Sequence, residues 1–340
     1  MASIRVYTSV DASLGGKKVQ LEELDEMIAE LKQAWIDIRL INETEEETQE
    51  IRRFLLDKMK FHSLAVEDCF DIPVSRAERF ENHRFVAFKA RDQDKKLDTE
   101  YLRVFLTEFN VVTVRHSKIP AINQFKGRYR SARLEKQLKR GPEFLLYELL
   151  DAVADDWTEM LEDYSSILDT LEYQVFDPSK KYSDLLERVH VIKQDFREMS
   201  KSVVPLHKMV SQMLRPDSDF LSEDNLLFFQ DTADNFSDIV TRVTNYSAGA
   251  TSTRDSYLTH VSMRLSESNA QLTEVMTTLS IIGSIMLPLT LIAGIFGMNV
   301  SAFDAGTGNF DLWQILTLMG VFSVLMLVYF YSKGWLNKKN

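Results

Sequence analysis

The chain has 340 residues, a formal net charge of −11 and a mean hydropathy of −0.18, enough length for two or three structural units that are mostly soluble. The acidic balance excludes the basic footprint of a nucleic-acid binder, so no nucleic acid is expected as a partner. A single cysteine, Cys69, excludes an internal disulfide and a cysteine-based metal centre, and fits a reducing compartment.

The opening stretch, "MASIRVYTSVDASLGG", has no apolar core and does not read as a signal peptide. "VQLEELDEMIAELKQAWIDIRL" begins with helical spacing and ends like a strand. The acidic run "ETEEETQE", Glu43 to Glu50, reads as the solvated face of a helix. "HSLAVEDCF" predicts a short helix, and "HRFVAFKAR", "YLRVFLTE" and "FNVVTVRH" are β-branched and aromatic, as strands are. Residues 1–140 are therefore expected to form a domain of mixed α and β structure around an antiparallel or mixed sheet.

At "RGPEFLLYELLDAVADDWTEMLEDYSSILDTLEYQVFD" the pattern becomes helical, with Pro142 suited to a first helical position. Asp177-Pro178 predicts its end, and a second helix is expected to run to about Pro205. From Leu221 to Met286 there is no proline, so residues 141–278 read as a helical region whose last helix leads into the first apolar run. Unbroken from 221 to 296, that helix would be roughly 110 Å long.

No nucleotide-binding loop, GxSxG or HExxH is present. The six histidines, at 62, 83, 116, 190, 207 and 260, lack metal-ligand spacing, and an enzyme is not expected.

Two uncharged runs close the chain. Val275 to Phe303 contains "LSIIGSIMLPLTLIAGIF", and Leu312 to Ser332 reads "LWQILTLMGVFSVLMLVYFYS". Each is long enough to cross a bilayer, which takes roughly 20 residues. The predicted spans are 279–299 and 312–332, joined by an outer loop at 300–311 and followed by a basic tail at 333–340. That loop has no Lys or Arg, whereas the tail carries Lys333, Lys338 and Lys339, which places both termini in the cytoplasm. The second span is Leu-, Val-, Phe- and Met-rich with Trp313, Tyr329, Tyr331 and Trp335 near its ends, as a lipid-facing helix is. On the first, Met276, Gly283, Leu287, Thr290 and Gly294 share one face. A packing stripe and a pore wall both fit that face, and the second requires an oligomer, because two helices cannot enclose a pore. Pro288 frees a backbone carbonyl within the same helix.

Residues 270–299, "AQLTEVMTTLSIIGSIMLPLTLIAGIFGMN", closely resemble the first membrane helix of the CorA family of magnesium channels, whose signature is Gly-Met-Asn, here Gly297-Met298-Asn299. "LAVEDCFDIPVSRAERFENHRFVAFKA" and "GPEFLLYELLDAVADDW" also look like CorA segments. The resemblance implies an α+β cytoplasmic domain, long stalk helices and two membrane helices, assembled as a funnel-shaped homopentamer in the lipid bilayer of the inner membrane. It implies Mg²⁺ as the cargo and Asn299 amides with Gly297 carbonyls as a neutral ring that selects the hydrated ion. Met298 would pack to hold that ring, with Thr290, Leu287, Gly283, Leu279 and Met276 lining the pore beneath it. It further implies closure by intracellular Mg²⁺ at acids between protomers, here Asp231 and Asp255 facing Asp92 or Asp94.

One departure stands out. Many CorA channels carry "MPEL" in the outer loop, where this chain has "VSAFDAGTGNFD", leaving Asp304 and Asp311 as charges at the mouth. Intact Gly-Met-Asn favours Mg²⁺ and leaves Co²⁺, Ni²⁺ and Zn²⁺ open. A Zn²⁺ transporter of the related ZntB branch, coupled to protons, is the first alternative. A membrane-tethered structural or sensory oligomer that conducts nothing is the second.

Overall fold

In the chain's computed structural model all residues are described except 1, 9–15, 29, 32, 41–43, 72–73, 94–96, 129–135, 177–183, 298–311 and 336–340. They divide into two units, residues 1–257 and 258–340.

The first unit is organised by a sheet of seven strands: β1 (Ser3–Thr8), β2 (Lys17–Val19), β3 (Ala34–Arg39), β4 (Arg76–Arg79), β5 (Arg84–Arg91), β6 (Thr99–Leu106) and β7 (Val111–Arg115). Their order is β2-β1-β3-β7-β6-β5-β4. Every neighbouring pair is antiparallel except β3 and β7, which run parallel with Asp37 opposite Thr113. The mixed sheet expected from the sequence is what forms.

Strand alternation divides the core. On β5, Phe85 and Ala87 enter one hydrophobic layer and Val86, Phe88 and Ala90 the other. On β7, Val112 and Val114 face one side and Val111 the opposite side, as the period of two requires. Helices α1 (Leu21–Met27), α2 (Glu45–Arg53) and α3 (Ser63–Phe70) cover the first face. The second is covered by α4 (Pro120–Arg128), α5 (Pro142–Phe176), α6 (Leu185–Met213) and the start of α7 (Leu226–Phe296).

Local chemistry explains several boundaries. The acidic run belongs to α2, whose Thr44 hydroxyl accepts the Glu47 N–H and whose first turn holds Glu45, Glu46 and Glu47. Arg52 and Arg53 lie in its last turn, so both ends complement the helix dipole. Gly141, at φ +102°, turns the chain into α5, and Pro142 is its first residue.

Helix α6 does not stop near Pro205; it continues to Met213 with the proline inside. Pro205 removes the N–H that would bond Lys201, which costs about 3 kcal/mol in a helix interior. Beyond it Leu206, Met209, Val210 and Met213 are all buried. Burying each of these is worth about 1.5–3 kcal/mol, so their sum outweighs the lost bond.

The centre of the sheet contains a buried ion network. Asp37 is 1% exposed and accepts from Thr113 Oγ1 at 3.0 Å, Arg115 Nε at 3.0 Å, Arg115 Nη2 at 2.9 Å and Lys126 Nζ at 2.8 Å. Trp35 Nε1 donates to the same Thr113 hydroxyl at 3.0 Å. Burial alone would raise the Asp37 pKa, but Arg115 and then Lys126 outweigh it and hold the carboxyl far below its usual range. Because the folded value is depressed, this stabilisation is present above the unfolded pKa near 3.8 and is lost as pH falls below it. Replacing Asp37 by Asn strands Arg115 in the interior. It should destabilise the first unit by about 3–5 kcal/mol at neutral pH. Urea unfolding of the detergent-solubilised chain, followed by tryptophan fluorescence, measures this.

In the second unit the apolar part of α7 and the helix α8 (Leu312–Ser332) are each long and apolar enough to cross a membrane. On α8, Ile315, Met319, Phe322, Ser323 and Met326 are half-buried and Phe330 is buried, all at helical spacing on one face.

Candidate functional site

Helix α7 changes character along its length. Phe229, Ala233, Phe236, Ile239, Val243 and Ala250 form a buried stripe that belongs to the core of the first unit. The entry to this helix is fastened by Glu143, in the first turn of α5. One Glu143 oxygen accepts from Ser222 N at 3.0 Å, Ser222 Oγ at 2.6 Å and Asn225 Nδ2 at 2.8 Å. The other accepts from Arg84 Nη1 at 2.5 Å, and Arg84 also donates to Phe220 O at 2.6 Å. Burial alone would raise the Glu143 pKa, but the bonds from Ser222 and Arg84 outweigh it and bring it below the usual range, so the group stays ionised. Arg79 adds a bond to the Asp219 carbonyl at 2.5 Å and pairs with its carboxylate.

Past Thr253 the covering ends. Between Leu258 and Ser280 no residue of α7 is buried. Farther on, Thr277, Ile281, Ile285, Pro288, Leu289 and Ile292 are half-buried or buried and share one face. The opposite face carries the stripe expected from the sequence and is open. Met276 and Leu279 are each 68% exposed and Leu287 74%. Thr290 is exposed and its hydroxyl donates to Met286 O at 2.8 Å. A side chain on Gly283 or Gly294 would meet nothing within 4 Å. Pro288 leaves the Ser284 carbonyl without its helical donor. At the end of the helix Gly297 N–H bonds Ala293 O at 2.9 Å, and a Cβ there would crowd that oxygen at 3.0 Å.

The structure thus brings Met276, Leu279, Gly283, Leu287 and Thr290 together as one surface. Met298, Asn299, Asp304 and Asp311 lie outside the described residues, as does Asp94. The remaining acids are not gathered within one chain. Asp231 and Asp255 are exposed on α7, separated by 24 positions, or about 36 Å of helix. Asp255 pairs with Arg254 at 2.8 Å. Asp92 is half-buried, and its N–H bonds Asp98 O at 2.8 Å. Among the described residues no three His, Cys, Asp or Glu side chains are grouped to hold a metal ion.

The Glu143 anchor escapes sequence reasoning, since an acid in a first helical turn already has a purpose at the dipole. The acid inside the strand "AWIDIRL" is the readable signal for the Asp37 network, because a charge between apolar residues demands a partner.

Known proteins resemble this chain over most of its length. The profile described as "CorA-like Mg2+ transporter protein" matches residues 33–334. The cobalt/magnesium transport protein CorA of Thermotoga maritima is 31% identical over 307 residues, covering 89% of this chain and 83% of that protein. The complete structure of the CorA magnesium transporter from Methanocaldococcus jannaschii superposes with a TM-score of 0.63 at 18% identity, covering 99% of both chains. The ZntB cytoplasmic domain from Vibrio parahaemolyticus superposes with a TM-score of 0.58 at 10% identity, over 77% of this chain and 98% of that one. At such identities the structural likenesses concern the fold alone.

Glu143→Ala should loosen the start of α7 by about 1.5–3 kcal/mol, the worth of hydrogen bonds to a charged group. Hydrogen exchange of the full chain checks this: amide protection around Ser222 to Asn225 should fall while that of β5 to β7 is retained.

Proposed function

This chain belongs to the CorA family of Mg²⁺ transporters, and we propose that it is a homopentameric channel admitting hydrated Mg²⁺ through a pore lined by the open face of α7. The observation that carries the reading is that face itself. From Leu258 to Gly297 the charged side chains are Arg264, Glu267 and Glu274, and at 100° per residue all three fall outside the arc of Met276, Leu279, Gly283, Leu287 and Thr290. An apolar, uncharged face left exposed in one chain needs a covering, and symmetric copies of the same helix supply it around a shared axis.

Mg²⁺ keeps its water shell tightly, so an entry ring does best to recognise the hydrated ion. Neutral oxygens of Gly297 and Asn299 accept bonds from those waters, with Met298 packed behind them. Such a ring binds weakly enough for release, whereas carboxylates would hold the ion longer. Asp304 and Asp311 at the mouth concentrate cations. Thr290 offers one more hydroxyl, and Leu287, Leu279 and Met276 form a constriction that closes by dewetting. Asp231 and Asp255, facing Asp92 or Asp94 of a neighbouring copy, bind Mg²⁺ from the cytoplasm and hold the closed state. The separation of Asp231 from Asp255 makes these two distinct sites, each completed by another protomer. Both termini lie in the cytoplasm, the protein sits in the inner membrane, and the membrane potential drives entry. Co²⁺ and Ni²⁺ are further cargo in this reading, and the protein is a transporter with no catalytic role.

The outer loop "VSAFDAGTGNFD", without MPEL, favours one second reading, a ZntB-like Zn²⁺ transporter coupled to protons.

Asn299→Ala tests the ring. Selective Mg²⁺ flux should be lost while the oligomer keeps its size on light scattering; full flux in the variant removes the ring from the account. Asp231→Ala combined with Asp255→Ala should shift Mg²⁺-dependent closure to higher concentration. Closure at the parent's Mg²⁺ level identifies both acids as ordinary surface groups.

A further inference from the structure

Helices α6 and α7 leave a groove between them that the channel reading does not use. It holds two cavities, of about 610 Å³ and about 350 Å³, and Lys193, Arg197 and Lys201 of α6 line both. These cations stand four positions apart, so they form one row about 12 Å long on a single face of the helix. Arg254 of α7 joins them in the smaller cavity, where Glu198 is the one carboxylate among the described lining residues. Glu198 pairs with Lys201 at 2.7 Å, and Arg254 with Asp255 at 2.8 Å. Lys193 and Arg197 have no ion-pair partner among the described residues. Like charges at this spacing weaken a helix, and the chain as a whole carries −11, so the row needs a reason outside α6. The larger cavity also has an apolar part, from Val204 and Pro205 beyond Lys201 and from Val243 of α7. Ser200 and Ser247 add two hydroxyls to its wall.

We infer that this groove binds a nucleoside triphosphate, with the phosphate chain along Lys193, Arg197 and Lys201 and the base against Val204, Pro205 and Val243. Arg197 presents a planar fork that matches phosphate oxygens two at a time, and the lysines flank it as point charges. The hydroxyls of Ser200 and Ser247 donate to further oxygens. A cleft lined by charge of one sign focuses its field on such a ligand, even on an acidic protein. The larger cavity has the volume of ordinary small-molecule sites, which pair an apolar wall with a few polar groups. A single phosphate engages only part of a row this long, and an inorganic phosphate chain makes no use of the apolar part. A nucleotide carrying several phosphates fits both. All of the lining comes from α6 and α7 of one chain, so the site is complete without a second copy and independent of the channel reading.

The experiment is isothermal titration calorimetry of the full detergent-solubilised chain in Mg²⁺-free buffer, with ATP, AMP and inorganic triphosphate as titrants. ATP should bind once per chain, at least about tenfold more tightly than AMP, which lacks the phosphate chain, and than triphosphate, which lacks the base. Lys193→Gln combined with Arg197→Gln should weaken ATP binding at least about tenfold, with oligomer size unchanged on light scattering. Lys17→Gln combined with Lys18→Gln removes the same charge from the exposed strand β2, outside the groove, and should leave the affinity as it is. The three titrants on the parent report even if the groove variant fails to fold. Absence of ATP binding to the parent, or AMP binding as tight as ATP, overturns the inference. Equal losses in the two double variants also overturn it, in favour of diffuse charge attraction. Triphosphate binding as tight as ATP overturns the placement of a base.

Discussion

An uncharged helical face with nothing laid over it is the constraint from which the rest follows. In the first unit the apolar stripe of α7 from Phe229 to Ala250 is buried in the core that α5 and α6 share with the sheet. From Leu258 onward the same helix presents Leu265, Leu272, Met276, Leu279 and Leu287 without cover. Membrane lipid can cover an apolar surface, but it has no use for the Gly283, Thr290 and Gly294 that interrupt this one. Small and hydroxyl residues at helical spacing suit close approach of another helix or of ordered water, and an oligomer around a pore uses both.

The first unit gives that helix a firm origin. The Asp37 network ties β3, β7 and α4 together at the centre of the sheet, and the bidentate pair of Arg91 with Asp156, at 3.0 and 2.5 Å, ties β5 to α5. Glu143 and Arg84 then fix where α7 begins. Each is a charge-assisted bond largely withdrawn from solvent, so each resists screening better than a surface pair would. A site formed between copies of the chain needs this kind of rigid support, because its geometry depends on where several copies of one helix start.

Much of this was legible in the residues. β5, β6 and β7 are strands because their β-branched and aromatic side chains alternate between two cores, and alternation is visible in sequence. The two apolar runs and the stripe from Met276 to Gly294 follow from period and length alone. At Pro205 the helix-breaking residue is outweighed by the four buried side chains beyond it, which only packing reveals. Asp37 announced a partner without naming it: Arg115 and Lys126 are brought to it by the parallel β3–β7 pairing and by α4, contacts across some eighty positions that no local pattern encodes. The acids at 92, 231 and 255 are readable only through resemblance, since solvated carboxylates and half of a shared metal site look alike in one chain.

The central claim is that hydrated Mg²⁺ passes along the open face of α7 under the membrane potential alone. Uptake of Mg²⁺, Co²⁺, Ni²⁺ and Zn²⁺ into proteoliposomes, each with and without an imposed pH gradient, tests it most directly. The account predicts Mg²⁺ entry that is indifferent to the pH gradient and grows with an inside-negative potential. Zn²⁺ entry that tracks the pH gradient, with little Mg²⁺ uptake, would contradict it.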